Sequence, residues 1–320
     1  MRISVVLPTH NRADLLREAI ASVQSQTWPD WELVVVDDGS IPPVYQERDD
    51  GIDRPVKWLR NELAKGLSNA RNRGIEAAEG DVVTFLDDDD LLTENALEVS
   101  AQQFQQNPDL ECLFINIDPF GAAGNGMRQN QAQALNAVLA RMGLSGHTNE
   151  VLPLGQNLFE ALLEGLPLAF QRVAIRRSAL QRVGLYQPGP FGDLEWNFRL
   201  ALRCRCSLLL TPLYRVRCDG QSFFTRSEAQ EKLLDAAIRI RLQLTALPEM
   251  ATQPRLASRA KRALARSRFD KAYFSHTTGN HFAWREFLLS ARGNFGWRHL
   301  SLLAKVLFSM FRLTTPLKSR

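Results

Sequence analysis

The sequence predicts an α/β protein with a mostly parallel central sheet, flanking helices and a helical C-terminal appendage. Three observations carry this. Short apolar runs alternate with segments of helical spacing through the first half of the chain. Three of those runs end in polar clusters: Pro8-Thr9-His10-Asn11, Asp37-Asp38-Gly39-Ser40 and Asp87 through Asp90. After Phe224 the strand-like runs stop and the remainder is helical in pattern.

Residues 3–7 form the first strand. Asn11 with Asp14 three positions later has the spacing of a helix start ahead of Leu15, Leu16, Ala19, Ile20 and Val23. Residues 31–36 and 56–59 are the next strands, and Leu67, Ala70, Gly74, Ile75 and Ala78 mark a second helix. Residues 82–86 run straight into the aspartates, and 112–117 are a further strand. Strand, helix, strand order sets neighbouring strands parallel, and open sheets of this kind bind ligands beyond the carboxyl ends of their strands. The three polar clusters should therefore meet at one edge. Residues 121–165, rich in Gly, Ala, Asn and Gln before turning helical, look like an insertion or flexible flap. Gly121, Gly124 and Gly126 lack the spacing of a dinucleotide fingerprint and suggest a loop. A strand over 168–175, a helix through Leu180 and Val183, a turn-rich 184–192, a helix over 193–204 and a strand over 207–210 follow.

At 320 residues and 36.1 kDa the chain can bury one large core or two modest ones. Its 45% hydrophobic and 23% charged residues are ordinary globular composition. Met1-Arg2-Ile3-Ser4-Val5-Val6-Leu7 meets Pro8 too soon for a signal peptide, and no uncharged apolar run reaches the length of a membrane span. Cys204 and Cys206 are two apart, with Cys112 and Cys218 scattered, which fits reduced thiols of a cytoplasmic protein better than a zinc site or disulfide framework. The net charge of +4 hides an asymmetry: residues 241–320 hold 15 Lys/Arg against 3 Asp/Glu, and the first 240 hold 24 against 32. Those basic residues are spread over several helical patterns without a recognised module, so nucleic acid is not an expected partner. Leu300, Leu303, Val306, Leu307, Met310 and Phe311 recur at near-helical spacing, flanked by Arg298, Lys305, Arg312 and Lys318. Such a helix either lies on an anionic membrane surface as a peripheral contact or packs on the rest of the protein.

The stretch TFLDDDDLL places four carboxylates side by side after an apolar run. It reads either as a solvated turn that caps the next helix or as a site for Mg²⁺, Mn²⁺ or Ca²⁺, hard cations that take oxygen ligands and offset the repulsion. Leu91 and Leu92 stand where an EF-hand loop needs a ligand and a glycine, and Leu91 also breaks the aspartate spacing of prenyl synthases. An Asp-x-Asp at a strand end remains, Asp87 and Asp89, which share a side if the extended backbone continues.

Val5-Val6-Leu7-Pro8-Thr9-His10-Asn11-Arg12, Val35-Val36-Asp37-Asp38-Gly39-Ser40, Lys65-Gly66-Leu67-Ser68-Asn69-Ala70-Arg71-Asn72-Arg73-Gly74-Ile75 and Phe85-Leu86-Asp87-Asp88-Asp89-Asp90 occur in this order. Together they resemble the family 2 inverting glycosyltransferases of GT-A fold, in their bacterial form. The likeness is specific over about the first 100 residues, weaker to about residue 224 and absent from the helical tail. It implies a nucleotide-binding half over 1–115, an acceptor-binding half over 116–224 and a basic extension over 225–320. It further implies a nucleotide-diphosphate sugar donor, most simply a UDP-sugar, and a glycan, lipid-linked or protein acceptor, as in cell-surface polysaccharide synthesis. Pro8, Thr9 and Asp38 match nucleoside-binding positions, Arg71 and Asp88 positions near the nucleotide sugar, and Asp87 and Asp89 the ligands of Mg²⁺ or Mn²⁺. Asp38 could instead bond the turn at Gly39 and Ser40, and Arg71 could be a solvated helix charge. Asp88 and Asp90 could serve in the loop or as helix caps. Two other functions share these residues: a nucleotide-sugar-binding scaffold without turnover, and a nucleotidyltransferase, which the lack of a Gly-rich loop after the first strand disfavours.

A diphosphate leaving group stabilised by a cation needs no separate acid, so one carboxylate base suffices. In Phe191-Gly192-Asp193-Leu194-Glu195-Trp196-Asn197-Phe198-Arg199, similar to a family motif of an acidic pair ahead of an Arg, the base position aligns with Asp193, and Gly192 replaces the usual Glu. Glu195, about 200° away around a helix, is the other catalytic candidate, with Arg199 four residues on as its structural partner. Asp193 could also be an N-cap. Two further departures from the family pattern are His10 in place of a Tyr and no His near Arg217, whose guanidinium could itself meet phosphate.

Overall fold

Ile3–Thr9 (β1), Ala13–Gln24 (α1), Trp31–Asp38 (β2), Val56–Asn61 (β3), Leu67–Ala77 (α2) and Val82–Phe85 (β4) follow in order, and β3-β2-β1-β4 lie side by side and parallel. β1 and β2 are buried at every position, which explains why their runs are continuously apolar rather than alternating. Ile3, Val5, Leu7, Leu33 and Val35 belong with Leu16, Ala19 and Val23 of α1 to the main core. On the opposite face Val34 and Val36 pack with Ala70 of α2. Gly74 lets α2 approach β1, since a Cβ there would lie 2.3 Å from Val6 Cγ1.

The computed structural model describes residues 1–44, 56–146, 150–189, 191–219, 227–278 and 281–314, without the side chains of 227–229, 294 and 309–314. Pro190, Gly220, Phe224, Lys318 and the side chains of Met310, Phe311 and Arg312 thus lie outside the described residues. The chain divides into two compact units, Met1–Ser222 and Phe223–Arg320.

The first unit continues with Leu91–Leu92 (β5), Ala96–Gln106 (α3), Cys112–Phe120 (β6), Gly124–Arg141 (α4), Val151–Leu154 (β7) and Leu158–Glu164 (α5). Val173–Arg176 (β8), Arg177–Val183 (α6), Gly192–Arg203 (α7) and Cys206–Arg217 (β9) complete it. Among the described residues the sheet has nine strands, extended past β4 by β8, β6, β9 and β5, with β7 also on β9. β8 runs antiparallel to β4 and β6, so the strand direction reverses directly beside the strand that leads into the aspartate loop.

Four local expectations change. Asn11 does not start α1: its backbone is left-handed at φ 56°, and its Oδ1 accepts the Ile41 amide at 2.7 Å. Residues 168–175 are not one strand; Leu168–Gln171 is a 3₁₀ turn whose Ala169 and Phe170 are buried without pairing, a case that an apolar run alone cannot distinguish from a strand. The loop expected around Gly124 is the first turn of the 18-residue α4, rich in the helix formers Ala, Gln and Leu. β9 extends to Arg217, past residue 210, with irregular register against β6 around Asn116 and Pro212.

The second unit is helical: Ser227–Thr245 (α8), Glu249–Thr252 (α9), Pro254–Thr277 (α10), Trp284–Asn294 (α11) and Trp297–Thr314 (α12). Phe269 and Ala272 of α10, Phe287 of α11, and Leu302 and Val306 of α12 form its small core. No helix among the described residues is long and apolar enough to cross a membrane.

Candidate active site

The loops after β1, β2 and β4 converge, and the four aspartates meet different fates there. The backbone does not stay extended: the Asp90 amide bonds the Asp87 carbonyl at 3.1 Å, so a turn, not strand alternation, places Asp87 and Asp89. Asp88 accepts from Thr9 Oγ1 at 2.8 Å and from Arg12 at 3.0 Å, tying β4's loop to β1's. Asp90 is buried, pairs with Arg172 at 2.6 Å and accepts the Arg217 amide at 3.1 Å. Neither caps a helix; Asn95 precedes α3. Asp87 takes Arg71 at 2.5 Å and Arg172 at 3.4 Å, and Asp89 meets Arg12 at 2.9 Å. Arg12, Arg71 and Arg172 therefore answer much of the repulsion that the sequence raises.

The balance is uneven. Burial works against the Asp87 charge, yet Arg71 and Arg172 hold its pKa below the usual carboxylate value. Burial and then the charge of Asp87 push Asp89 upward. Burial pushes Asp90 up to about 6 despite Arg172, and raises Asp88 against the Thr9 hydroxyl and Arg12. Among the described residues Asp89 has one salt-bridge partner, Arg12, where Asp87 has two, Arg71 and Arg172. Asp89 is also the most open, its side chain 35% exposed against 24% for Asp87, 8% for Asp88 and 3% for Asp90. Two partly open carboxylates beside a cleft fit Mg²⁺ or Mn²⁺, which commonly take one or two protein carboxylates and complete their shell with phosphate oxygens and water. No group of three His, Cys, Asp or Glu among the described residues encloses a metal.

Pro8, Thr9, His10, Arg12, Asp38 and Asp87 to Asp89 line a cleft of about 430 Å³. Asp38 is buried and does not bond the turn at Gly39 and Ser40. Its carboxylate accepts the Gly66 amide at 2.7 Å, the Lys65 amide at 3.0 Å and Asn61 Nδ2 at 2.6 Å, so it fixes the loop that starts α2. Asp37 takes the turn instead, through the Ser40 amide at 2.8 Å. Arg71 is buried rather than solvated. The Nε atoms of Arg71 and Arg172 are buried with no hydrogen-bond partner, leaving each guanidinium a donor to spare. His10 Nδ1 donates to the Asp38 carbonyl at 2.7 Å, and Arg217 is committed to Glu18 at 2.6 Å.

A second cleft of about 450 Å³ shares Leu67 with the first and is lined by Arg71, Asn72, Gly189, Phe191 and Asp193. Asp193 is the second residue of α7; Phe191 occupies the N-cap position, and Asp193 sits 3.9 Å from Arg71 Nη1. Gly192 has no room for the Glu that the motif carries elsewhere: a Cβ would lie 2.3 Å from Ser68 Oγ and 2.6 Å from the Gln187 carbonyl. Glu195 is not brought to the cleft. It is buried in a bidentate pair with Arg199, both contacts 2.8 Å, and Arg199 also donates to the Leu185 carbonyl at 2.7 Å. Tyr186 and Trp196 stack at 4.4 Å, with Phe85 edge-on to both, fastening α7 against the end of β4. The sequence reading missed Arg12, Arg172 and Tyr186. Arg12 lies inside the quoted motif, but nothing in one dimension signals that Arg172 reaches Asp90 across 82 positions. A further cavity of about 680 Å³, lined by residues of α4, β6 and β9, contains none of the candidate residues.

The parallel half-sheet, the reversal of strand direction at β8 and the aspartate loop at that point define an α/β protein of GT-A type. The model of glycosyl transferase family 2 matches residues 4–183, and the chain belongs to that family. Over 116 residues it is 35% identical to WfgD of Escherichia coli, a UDP-Glc:alpha-D-GlcNAc-diphosphoundecaprenol beta-1,3-glucosyltransferase, covering 36% of this chain and 46% of that protein. Over 105 residues it is 39% identical to the GalNAc(5)-diNAcBac-PP-undecaprenol beta-1,3-glucosyltransferase of Campylobacter jejuni, covering 32% and 34%. The matches thus span between 34% and 46% of these relatives' lengths. In structure the chain resembles S. aureus TarS 1-349, with TM-score 0.61, 17% identity and coverage of 99% and 93%. The TarS complex with UDP aligns at TM-score 0.56 and 19% identity, covering 87% and 74%.

Proposed function

We propose that this protein is an inverting glycosyltransferase that moves a sugar from a UDP-sugar to an acceptor hydroxyl, in the synthesis of a glycan or cell-surface polysaccharide. The named relatives act on undecaprenol-diphosphate-linked saccharides, which favours a lipid-linked acceptor here. One observation carries the reading: a single buried guanidinium, Arg71, contacts Asp87 at 2.5 Å and lies 3.9 Å from Asp193. The aspartate loop and the candidate base thus flank one fixed cation.

Pro8 and Thr9 hold the nucleoside at the end of β1. Asp38 lines the same cleft, fixed there by the Lys65 and Gly66 amides and Asn61, and a pyrimidine N–H would share its carboxylate with the bifurcated Lys65 amide. A Mg²⁺ or Mn²⁺ on Asp89, with Asp87 beside it, would neutralise the charge that grows on the departing diphosphate. Asp193 takes the acceptor hydroxyl proton as that oxygen bonds the anomeric carbon from the face opposite the diphosphate. The carbon–oxygen bond to phosphate breaks, its electron pair stays on the diphosphate, and the configuration inverts. Glu195 and Arg199 hold α7 so that Asp193 faces the cleft.

Purified protein titrated with a panel of nucleotide sugars, with Mn²⁺ and with chelator, tests this reading. Metal-dependent binding of a UDP-sugar and its slow hydrolysis are expected; binding that ignores both the base and the metal contradicts it.

A further inference from the structure

Helix α12 is apolar on two opposite faces. Leu302 and Val306 turn inward onto Phe269 and Phe287, as does His299, whose ring lies 4.9 Å from that of Phe269. At about 100° per residue, Trp297, Leu300 and Leu307 fall on the far side of the helix, and they are 81%, 45% and 44% exposed. The sequence pattern placed Val306 and Leu307 on one face, whereas the structure buries the first and exposes the second. Just before the helix, Phe295 is 60% exposed and stacks on His299.

The charge that α12 itself carries is of one sign, although Asp270 of α10 lies near Arg298 and Glu286 of α11 is 3.9 Å from Arg285. From residue 287 to the end the sequence has no Asp or Glu, but it has six Lys or Arg. Arg298 lies over the Phe269 ring at 5.0 Å and Lys305 Nζ is 5.9 Å from the Tyr273 ring, so both are held on the unit beside the exposed face. Arg285 and Arg292 flank Leu288 along a groove on α11.

We propose that the outward face of α12 docks on an anionic lipid bilayer, lying in the interface without crossing it. A Trp at the first turn, an apolar crest and cationic flanks, with no acidic residue on the helix itself, match the chemistry of an interfacial helix. A second copy of this chain would bring like charges together, because the same basic surface would face itself, which disfavours self-association. The proposal does not depend on the transfer reading.

Flotation of the full chain with vesicles of phosphatidylglycerol and phosphatidylcholine, against phosphatidylcholine alone, tests it. The protein should float with the anionic vesicles and be released by salt, and Trp297→Ser with Leu307→Ser should weaken binding roughly tenfold or more. An unchanged far-UV circular dichroism melt would show that the variant is folded, since both side chains lie outside the small core. Leu300→Ser provides a second, milder variant that should fall between the two. Equal flotation by wild type and variants, no flotation at all, or a salt-resistant dimer that the double variant dissolves would each overturn the proposal.

Discussion

Asp89 and Asp193 separate two roles that a sequence motif places in one list of acidic residues. Asp89→Ala should abolish most transfer while leaving the thermal transition nearly unchanged, because its side chain is 35% exposed and sits in a loop; a transfer assay beside a melt checks both. Glu195→Gln should behave in the opposite way. Removing one member of a buried ion pair typically costs about 3–5 kcal/mol, so urea unfolding should show a large loss, and transfer per folded molecule should fall far less than in Asp89→Ala. The aspartates were legible because residue type and order carry them. The contacts by which Arg12, Arg71 and Arg172 offset those charges, to Asp89, Asp87 and Asp90, run across 77, 16 and 82 positions, and no local pattern carries them.

At the scale of elements, the parallel strands and their polar ends were legible because a strand buried on both faces must be apolar throughout, as β1 and β2 are. Residues 168–175 were not, because burial selects apolar side chains in a 3₁₀ turn as it does in a strand. The start of α7 shows a constraint that no pattern reveals. Gly192 is packed against Ser68 and the Gln187 carbonyl, so Gly192→Ala should destabilise by about 1–3 kcal/mol, the usual cost of overpacking. Because the strain falls one residue before Asp193, transfer should drop further than the fraction unfolded accounts for. Comparing urea midpoints with specific activity separates the two effects.

For the whole molecule, the two units should respond differently to pH. His299 of the helical unit is buried, its Nδ1 accepts the Gly296 amide at 3.3 Å, and its Nε2 therefore donates to Ser290 Oγ at 3.0 Å. Burial, with the charge of Arg298 acting in the same direction, holds its pKa below the ordinary value. The unfolded chain binds a proton near pH 6.5 and the folded one only at lower pH, so the stabilisation is complete above about 6.5 and lost as pH falls below it. Helical melting followed from pH 8 to pH 5 should show this loss, and His299→Gln should flatten it. The first unit carries the central claim, that Asp193 works across Arg71 from the aspartate loop as the base of an inverting transfer. The most direct test is proton NMR of the glycosidic product from an α-linked UDP-sugar and a lipid-linked acceptor analogue, for wild type and Asp193→Asn. The account predicts a β-linked product from wild type and a transfer rate lower by about 10²- to 10⁴-fold in the variant, with donor affinity unchanged. An α-linked product, or an Asp193→Asn protein that transfers at the wild-type rate, would contradict it.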